Sequence, residues 1–137
     1  MATTLSPYLG FGDTTREAMT FYQGALGGDL QISTFGDLGN DNPDESGLVM
    51  HAALTTPAGF TLFAADTPSS HGPAPVPGGF SVSIFGDDEA ELRGYWDKLS
   101  DGATVTMPLE NAPWGDTFGM LTDKFGVSWM VNISPAG

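Results

Sequence analysis

The sequence of 137 residues contains no cysteine. A chain without thiols forms no disulfide, no thiolate-bound zinc site and no cysteine nucleophile, so several enzyme classes are excluded together. The sequence also lacks a basic stretch followed by an apolar run near residue 1, and no segment has the length and hydropathy needed to span a bilayer. These absences predict a cytoplasmic protein without a membrane partner.

Basic residues are scarce, with four Lys and Arg against 17 Asp and Glu, and the formal net charge is -13. Such a charge repels phosphate backbones, so nucleic acid is not an expected partner. The acidity is mainly interpreted as a feature of solubility or salt tolerance. A second interpretation is an electrostatic field that attracts cationic small molecules.

The first half of the chain predicts a β-α-β-β-β order. A helix over residues 15–26 is indicated by Thr14 three residues before Glu17, a capping-box pattern, and by Gly27 and Gly28 at its end. Its apolar stripe consists of Ala18, Phe21, Tyr22, Ala25 and Leu26. A short apolar run at residues 8–11 precedes the helix, and strands are predicted at 30–35, 48–54 and 60–65, with a polar loop at 36–46.

The second half repeats this order after an exposed Pro- and Gly-rich stretch at residues 67–79. A strand at 80–85 precedes a helix whose stripe is Leu92, Tyr95, Trp96 and Leu99, and Gly102 follows it. Phe11-Gly12-Asp13 corresponds to Phe85-Gly86-Asp87, and residues 59–64 correspond to 126–131, which indicates an internal duplication. The predicted fold is α+β: one domain of two βαβββ modules, about 6–66 and 79–133 with a linker at 67–78, forming a cupped mixed sheet with helices on the outer face.

Alternation along the strands assigns their two faces. Val127, Trp129, Val131 and Ile133 are apolar, as are Phe80, Val82 and Ile84, whereas the residues between them are mixed. The apolar faces are expected to pack on the helices, so the mixed faces are expected to line a concavity that holds any ligand.

Several motifs together resemble one family. They are Tyr8-Leu9-x-Phe11, Glu17-Ala18-x-x-Phe21-Tyr22, Leu26-Gly27-Gly28, Met50-His51-Ala52, Met107-Pro108-Leu109, Trp114-Gly115-Asp116 and Asp123-x-Phe125-Gly126-Val127-x-Trp129. In this order they resemble the PhnB-like branch of the vicinal oxygen chelate superfamily, the glyoxalase and bleomycin-resistance group. The resemblance implies paired βαβββ modules, commonly in a homodimer, and a superfamily of isomerases, dioxygenases, thiol transferases and metal-free drug-binding proteins.

The resemblance also permits a check of the superfamily's metal site. Metal-dependent members place His or Glu at one inward position in the first and last strand of each module. Here these positions fall at or next to Pro7, Phe63, Ser81 and Met130, none of which is a normal ligand, so the expected cofactor is none. The remaining, less favoured alternative is a divalent metal held by His51, His71 and a carboxylate.

The sequence permits more than one role for several individual side chains. His71 lies in the linker and is expected to be exposed. Met50, Ala52 and Leu54 predict an apolar face, so His51 should face the concavity, either hydrogen-bonded to neighbouring strands or acting as a general base.

The turn at Trp114 and Asp116 also has two interpretations. Asp116 either orients a ligand or caps the turn, and Trp114 either forms the wall of a pocket or belongs to the turn. Asp123 is predicted to accept backbone hydrogen bonds in a turn, and the acidic segment at residues 37–45 to be a solvated loop.

The sequence therefore predicts a metal-free homodimer that binds a small organic ligand near His51, Phe63, Ser81, Trp114 and Met130. The alternative is a lyase, isomerase or dioxygenase-type enzyme that acts on a small oxygenated metabolite. In that alternative His51 or Asp116 would transfer protons. A third possibility is a scaffold whose concavity is filled by its own side chains.

Overall fold

A computed structural model describes residues 3, 5–76 and 78–135. The helices and strands, in chain order, are β1 (Tyr8–Phe11), α1 (Thr15–Leu26), β2 (Asp29–Thr34), β3 (Val49–Thr55), β4 (Thr61–Asp66), β5 (Val82–Gly86), α2 (Glu89–Leu99), β6 (Thr104–Asn111), β7 (Thr117–Thr122) and β8 (Ser128–Ile133). They form two compact units, unit 1 with β1 to β4 and α1, and unit 2 with β5 to β8 and α2. Each unit is a βαβββ module, which confirms the predicted α+β fold.

The two sheets have equivalent topology. The strand order is β1-β4-β3-β2 in unit 1 and β5-β8-β7-β6 in unit 2. The first strand of each unit pairs in parallel with the last, and the other pairs are antiparallel. Gly59 and Gly126 occupy equivalent turns with φ of 90° and 91°. This repetition confirms the internal duplication, whereas the division into one domain with a linker at 67–78 stays a prediction.

Helix α1 has the predicted bounds but not the predicted cap. Gly27, with φ of 79°, follows its last residue. The Thr14 side chain makes no capping hydrogen bond; instead the amide of Thr15 donates to Oδ1 of Asp66 over 2.9 Å. Oδ2 of Asp66 accepts from the amide of Val49 at 2.8 Å. A carboxylate at a helix N-terminus is favoured by the helix dipole, so Asp66 replaces the predicted capping box and connects three elements of unit 1.

The buried faces of the strands largely follow the predicted alternation. Leu9, Ala52, Leu54, Leu62 and Ala64 are buried in unit 1, and Ile84, Leu121, Trp129, Val131 and Ile133 in unit 2. Each helix buries most of its predicted apolar stripe, but Phe21 and Tyr95 are half-buried and Met19, outside the predicted stripe, is buried. The buried helix residues are Ala18, Met19, Tyr22, Ala25 and Leu26 on α1 and Leu92, Trp96 and Leu99 on α2.

Two apolar residues, Phe80 and Met50, were assigned to the wrong environment, and a third, Phe85, to the wrong counterpart. Phe80 precedes β5 and is exposed, and Phe85, the supposed equivalent of Phe11, is 75% exposed. The register explains the second difference, since Phe11 pairs with Asp66 but Phe85 pairs with Asn132. Met50 is half-buried rather than part of the apolar face, because the register between β2 and β3 shifts there and Val49 is buried instead.

The predicted linker and polar loop contact each other in unit 1. Pro68 is fully buried, which departs from the predicted exposed stretch, whereas Ser69–His71 form a short 3-10 helix that is exposed. Oγ of Ser70 donates to Oε2 of Glu45 over 2.5 Å, and Nδ2 of Asn40 donates to Oε1 over 3.2 Å.

Glu45 is only 8% exposed, which corrects the prediction of a wholly solvated loop. The hydrogen bonds from Ser70 and then Asn40 hold the pKa of Glu45 below its ordinary value. Residues 72–76 are exposed as expected, and Pro77 lies outside the described residues. In the part of the chain that the structure describes, no helix is long and apolar enough to cross a membrane.

Candidate functional site

Three aromatic side chains meet on the open face of the sheet in unit 1, the face opposite α1. They are Tyr8 on β1, His51 on β3 and Phe63 on β4, and together they are called the aromatic cluster. The ring centroids lie 5.6 Å apart for Tyr8 and His51, 6.1 Å for Tyr8 and Phe63, and 5.4 Å for His51 and Phe63. The hydroxyl of Tyr8 is 2.9 Å from Nδ1 of His51, within hydrogen-bonding distance.

Strand register brings these residues together. Tyr8 faces Phe63 across the parallel β1–β4 pair, and Ala53, two residues after His51, faces Phe63 across the β3–β4 pair. Because side chains alternate along a strand, these residues share one face while Leu9, Ala52 and Ala64 are buried on the other. His51 therefore lies on the mixed face, as its strand alternation predicted, with Phe63 beside it, whereas the ligand-binding concavity stays a prediction.

The aromatic cluster combines apolar surface with hydrogen-bonding groups. Tyr8 is 55% exposed, and His51 and Phe63 are half-buried, so the rings are accessible from solvent. A phenol and an imidazole can each donate or accept a hydrogen bond, and the roles of the two groups depend on the imidazole tautomer. The cluster can therefore stack on a planar ligand and orient a polar atom of it.

Tyr8 was not identified as a site residue from the sequence, where it belonged only to the apolar run at residues 8–11 and to a family motif. The available signal was the parity of β1: with Leu9 and Phe11 buried, Tyr8 must occupy the open face. Its contact with His51 joins residues 43 positions apart, so neither local motif predicts it.

Ser81 and Met130 lie together in unit 2. Both line a cavity of about 580 Å³ beside Ser128. The hydroxyls of Ser81 and Ser128 are 2.8 Å apart, and either oxygen can be the donor. The partner of Met130 across the parallel β5–β8 pair is Ser83, not Ser81, since Ser81 precedes β5.

Trp114 and Asp116 occupy the β6–β7 turn of unit 2 and have different environments. Trp114 is 62% exposed, and its ring meets that of Phe118 edge-on at 5.7 Å. The Trp114 and Phe118 rings line a second cavity of about 360 Å³, which supports the interpretation of Trp114 as a pocket wall.

Oδ2 of Asp116 accepts from Nδ2 of Asn132 at 3.1 Å, and its backbone oxygen accepts from the amide of Ala112. Asp116 thus stabilises the turn.

Asp123 performs the structural role predicted for it. Its Oδ1 accepts from the amides of Phe125 and Val127 at 2.8 and 3.0 Å, and its Oδ2 accepts from the indole nitrogen of Trp129 at 2.8 Å. The carboxylate is buried, so it orders the β7–β8 turn rather than facing a ligand.

The positions predicted for the superfamily's metal ligands lie on or next to paired strands. Across the parallel pairs, Tyr8 faces Phe63 in unit 1 and Ser83 faces Met130 in unit 2, whereas Pro7 and Ser81 directly precede β1 and β5. These side chains do not provide the imidazole and carboxylate donors that divalent ions prefer. Residues 3, 5–76 and 78–135 contain no group of three or more His, Asp or Glu side chains placed to hold a metal. The family's metal centre does not fit this donor set.

The two histidines have separate surroundings. His51 belongs to the aromatic cluster, whereas His71 is exposed in the 3-10 helix and meets the ring of Phe35 edge-on at 5.9 Å. The predicted exposure of His71 is confirmed.

Comparisons with known proteins agree with this architecture. Residues 6–131 match the Glyoxalase/Bleomycin resistance protein/Dioxygenase superfamily. Protein YjdN of Escherichia coli K12 is 30% identical over 141 residues, covering 94% of each chain. The crystal structure of PA1353 from Pseudomonas aeruginosa has a TM-score of 0.87 at 36% identity, covering 98% of this chain and 100% of the other.

A PhnB protein from Bacillus cereus is also similar, with a TM-score of 0.75 at 27% identity over 96% of this chain and 100% of the other. The resemblance drawn from the sequence motifs is thereby confirmed. The chain belongs to the glyoxalase/bleomycin resistance protein/dioxygenase superfamily, with a PhnB protein among its structural neighbours.

Proposed function

We propose that the chain binds a small organic ligand without a divalent metal, and that the aromatic cluster of Tyr8, His51 and Phe63 contacts it. The observation that carries the proposal is an accessible group of three rings around one hydrogen-bonded phenol and imidazole. Binding sites for small molecules commonly combine aromatic walls with a few convergent polar groups. Exposed aromatic surface of this kind is costly to leave in water unless a ligand or partner covers it.

The donor set supports the metal-free part of the proposal. Phe63 and Met130 stand at inward positions where a metalloenzyme of the superfamily needs imidazole or carboxylate ligands. A homodimer and a contribution of Ser81 and Met130 to ligand binding belong to the same proposal. The exposed ring of Phe85 on edge strand β5 supports dimerisation, because a second subunit would remove it from water.

Native mass spectrometry of the protein as purified tests this function. We expect a dimer that carries an organic mass and no metal ion. The His51→Ala and Phe63→Ala variants should each bind the ligand about fivefold to thirtyfold more weakly, because each loses a ring contact worth roughly 1–2 kcal/mol. The exposed helix variant Glu17→Ala is the matched control in unit 1 and should retain the ligand.

Two results would contradict the proposal. A dimer loaded with a stoichiometric metal would make the chain a candidate metalloenzyme. A ligand that is retained equally by all three variants would place binding away from the aromatic cluster.

Proton transfer is a second candidate function, favoured by the 2.9 Å contact between the Tyr8 hydroxyl and Nδ1 of His51. The Tyr8 hydroxyl can hold the ring at Nδ1, and in the tautomer whose Nδ1–H donates to the hydroxyl oxygen, Nε2 is the unprotonated atom that can accept a proton from a substrate. An isomerase or lyase acting beside a carbonyl group requires such a base.

Deuterium exchange in heavy water tests this candidate on a panel of small carbonyl compounds. We expect wild-type protein to exchange deuterium into the carbon next to a carbonyl, the His51→Ala variant to be inactive, and Tyr8→Phe to be slowed by about tenfold to a hundredfold. Absence of exchange by the wild-type protein, or equal exchange by His51→Ala, would exclude proton transfer by this pair.

A further inference from the structure

A cavity of about 360 Å³ at the β6–β7 hairpin of unit 2 has the composition of a cation site. Its walls include Trp114, Phe118 and Met107, and Glu110 is the charged residue among those that line it. Trp114 and Met107 are exposed large apolar side chains, at 62% and 46%. Two aromatic residues, a thioether and a carboxylate thus surround one space that is open to solvent.

The hairpin geometry places the aromatic rings and the carboxylate next to each other. Glu110 is the cross-strand partner of Phe118, so the two side chains lie on the same face of the β6–β7 pair. The Trp114 ring is inclined at 64° to that of Phe118, with centroids 5.7 Å apart. Two rings at this angle form adjoining walls, and the negative face of each attracts a cation placed within about 6 Å.

Charge selects the kind of ligand. The net charge of the chain is -13, and none of its four basic residues lines this cavity. Arg93 pairs with Glu89 at 2.8 Å and Lys124 lies 3.9 Å from Asp101, so these two cations have acidic neighbours elsewhere in unit 2. An anionic ligand would meet Glu110 without compensation, whereas a cation would be attracted both by the carboxylate and by the long-range field.

We propose that this cavity binds a small organic cation of the alkylated ammonium class. Alkylated ammonium groups carry their charge on an apolar surface, which suits aromatic walls and one carboxylate better than it suits water. The site is built entirely from residues of unit 2. It does not depend on the aromatic cluster, so either proposal can fail alone.

Nuclear magnetic resonance titration with choline chloride, at constant ionic strength, tests the inference. The uncharged carbon analogue of choline, in which a tert-butyl group replaces the trimethylammonium group, is the matched ligand. We expect choline to shift the indole N–H signal of Trp114, and to bind about threefold to tenfold more tightly than the analogue. The signals of Trp96 and Trp129, both buried, serve as internal references.

Variants separate the contribution of charge from that of the rings. Glu110→Gln and Trp114→Leu should each weaken choline binding by about threefold to tenfold. Asp97→Asn, which removes an exposed carboxylate from α2, controls for the change in net charge and should bind like wild type. The proposal would be overturned by equal affinity for the two ligands or by unchanged binding to Glu110→Gln. It would also be overturned if the Trp114 signal did not shift at a choline concentration of ~0.1 M, which is about a 100-fold excess.

Discussion

Replacing Asp123 by alanine is expected to lower the free energy of unfolding by about 3–5 kcal/mol. Its carboxylate accepts three hydrogen bonds in a buried position, from the amides of Phe125 and Val127 and from the indole of Trp129. The alanine variant leaves these donors without the carboxylate, and each buried donor that loses its acceptor costs roughly 1–3 kcal/mol. Urea unfolding followed by tryptophan fluorescence measures the loss.

Two further variants make the Asp123 result specific. Asp123→Asn keeps one carbonyl oxygen, which can accept hydrogen bonds from either the backbone amides or the indole. Its stability should therefore lie between those of the wild type and Asp123→Ala. Asp97→Ala removes an exposed carboxylate from α2 and should change stability by less than about 0.5 kcal/mol. If Asp123→Ala were as stable as Asp97→Ala, the buried carboxylate would not be what orders the β7–β8 turn.

Gly28→Ala is the second change with a large expected effect, again about 3–5 kcal/mol of destabilisation. Gly28 has φ of 105°, where an L-residue is strained by roughly 1–2 kcal/mol. In addition, an added Cβ would collide with the carbonyl oxygen of Thr55 and lie 2.7 Å from Cα of Thr56. Backbone atoms of β3 and the turn after it must then move, which adds the cost of overpacking.

Gly59→Ala separates the two causes. Gly59 also has positive φ, at 90°, but an added Cβ meets nothing within 4 Å. The Gly59→Ala variant should therefore lose only about 1–2 kcal/mol of its free energy of unfolding. Thermal and urea unfolding of both variants provide the comparison. Equal losses in the two would show that backbone strain alone, and not the approach of Thr55, requires glycine at position 28.

Local patterns accounted for the elements and for their repetition. The apolar stripe from Ala18 to Leu26, followed by Gly27, predicted α1 with the observed bounds because helical periodicity and termination are properties of neighbouring residues. The alternation in β8 likewise predicted which of its side chains are buried. Observed strand bounds differ by one or two residues, since hydrogen-bond register rather than side-chain pattern decides where pairing begins.

Contacts between distant residues decided the candidate site. The carboxylate of Asp66 at the start of α1 lies 51 residues from Thr15, so the nearer Thr14 was mistaken for the cap. The register shift beside His51 moved Met50 off the buried face, and the β5–β8 register gave Phe85 a strand position different from that of Phe11. None of these features leaves a periodic signal in the sequence.

By itself, the sequence determined the two βαβββ modules, the buried faces of most strands, the outward direction of His51 and the structural role of Asp123. These follow from periodicity, turn residues and self-similarity, which act over short spans or repeat along the chain. Only the tertiary structure decided that Tyr8 joins His51 and Phe63, and that Trp114, Phe118 and Glu110 surround one cavity. Strand pairing brings side chains from distant segments onto a shared face, and that pairing depends on the register of the whole sheet.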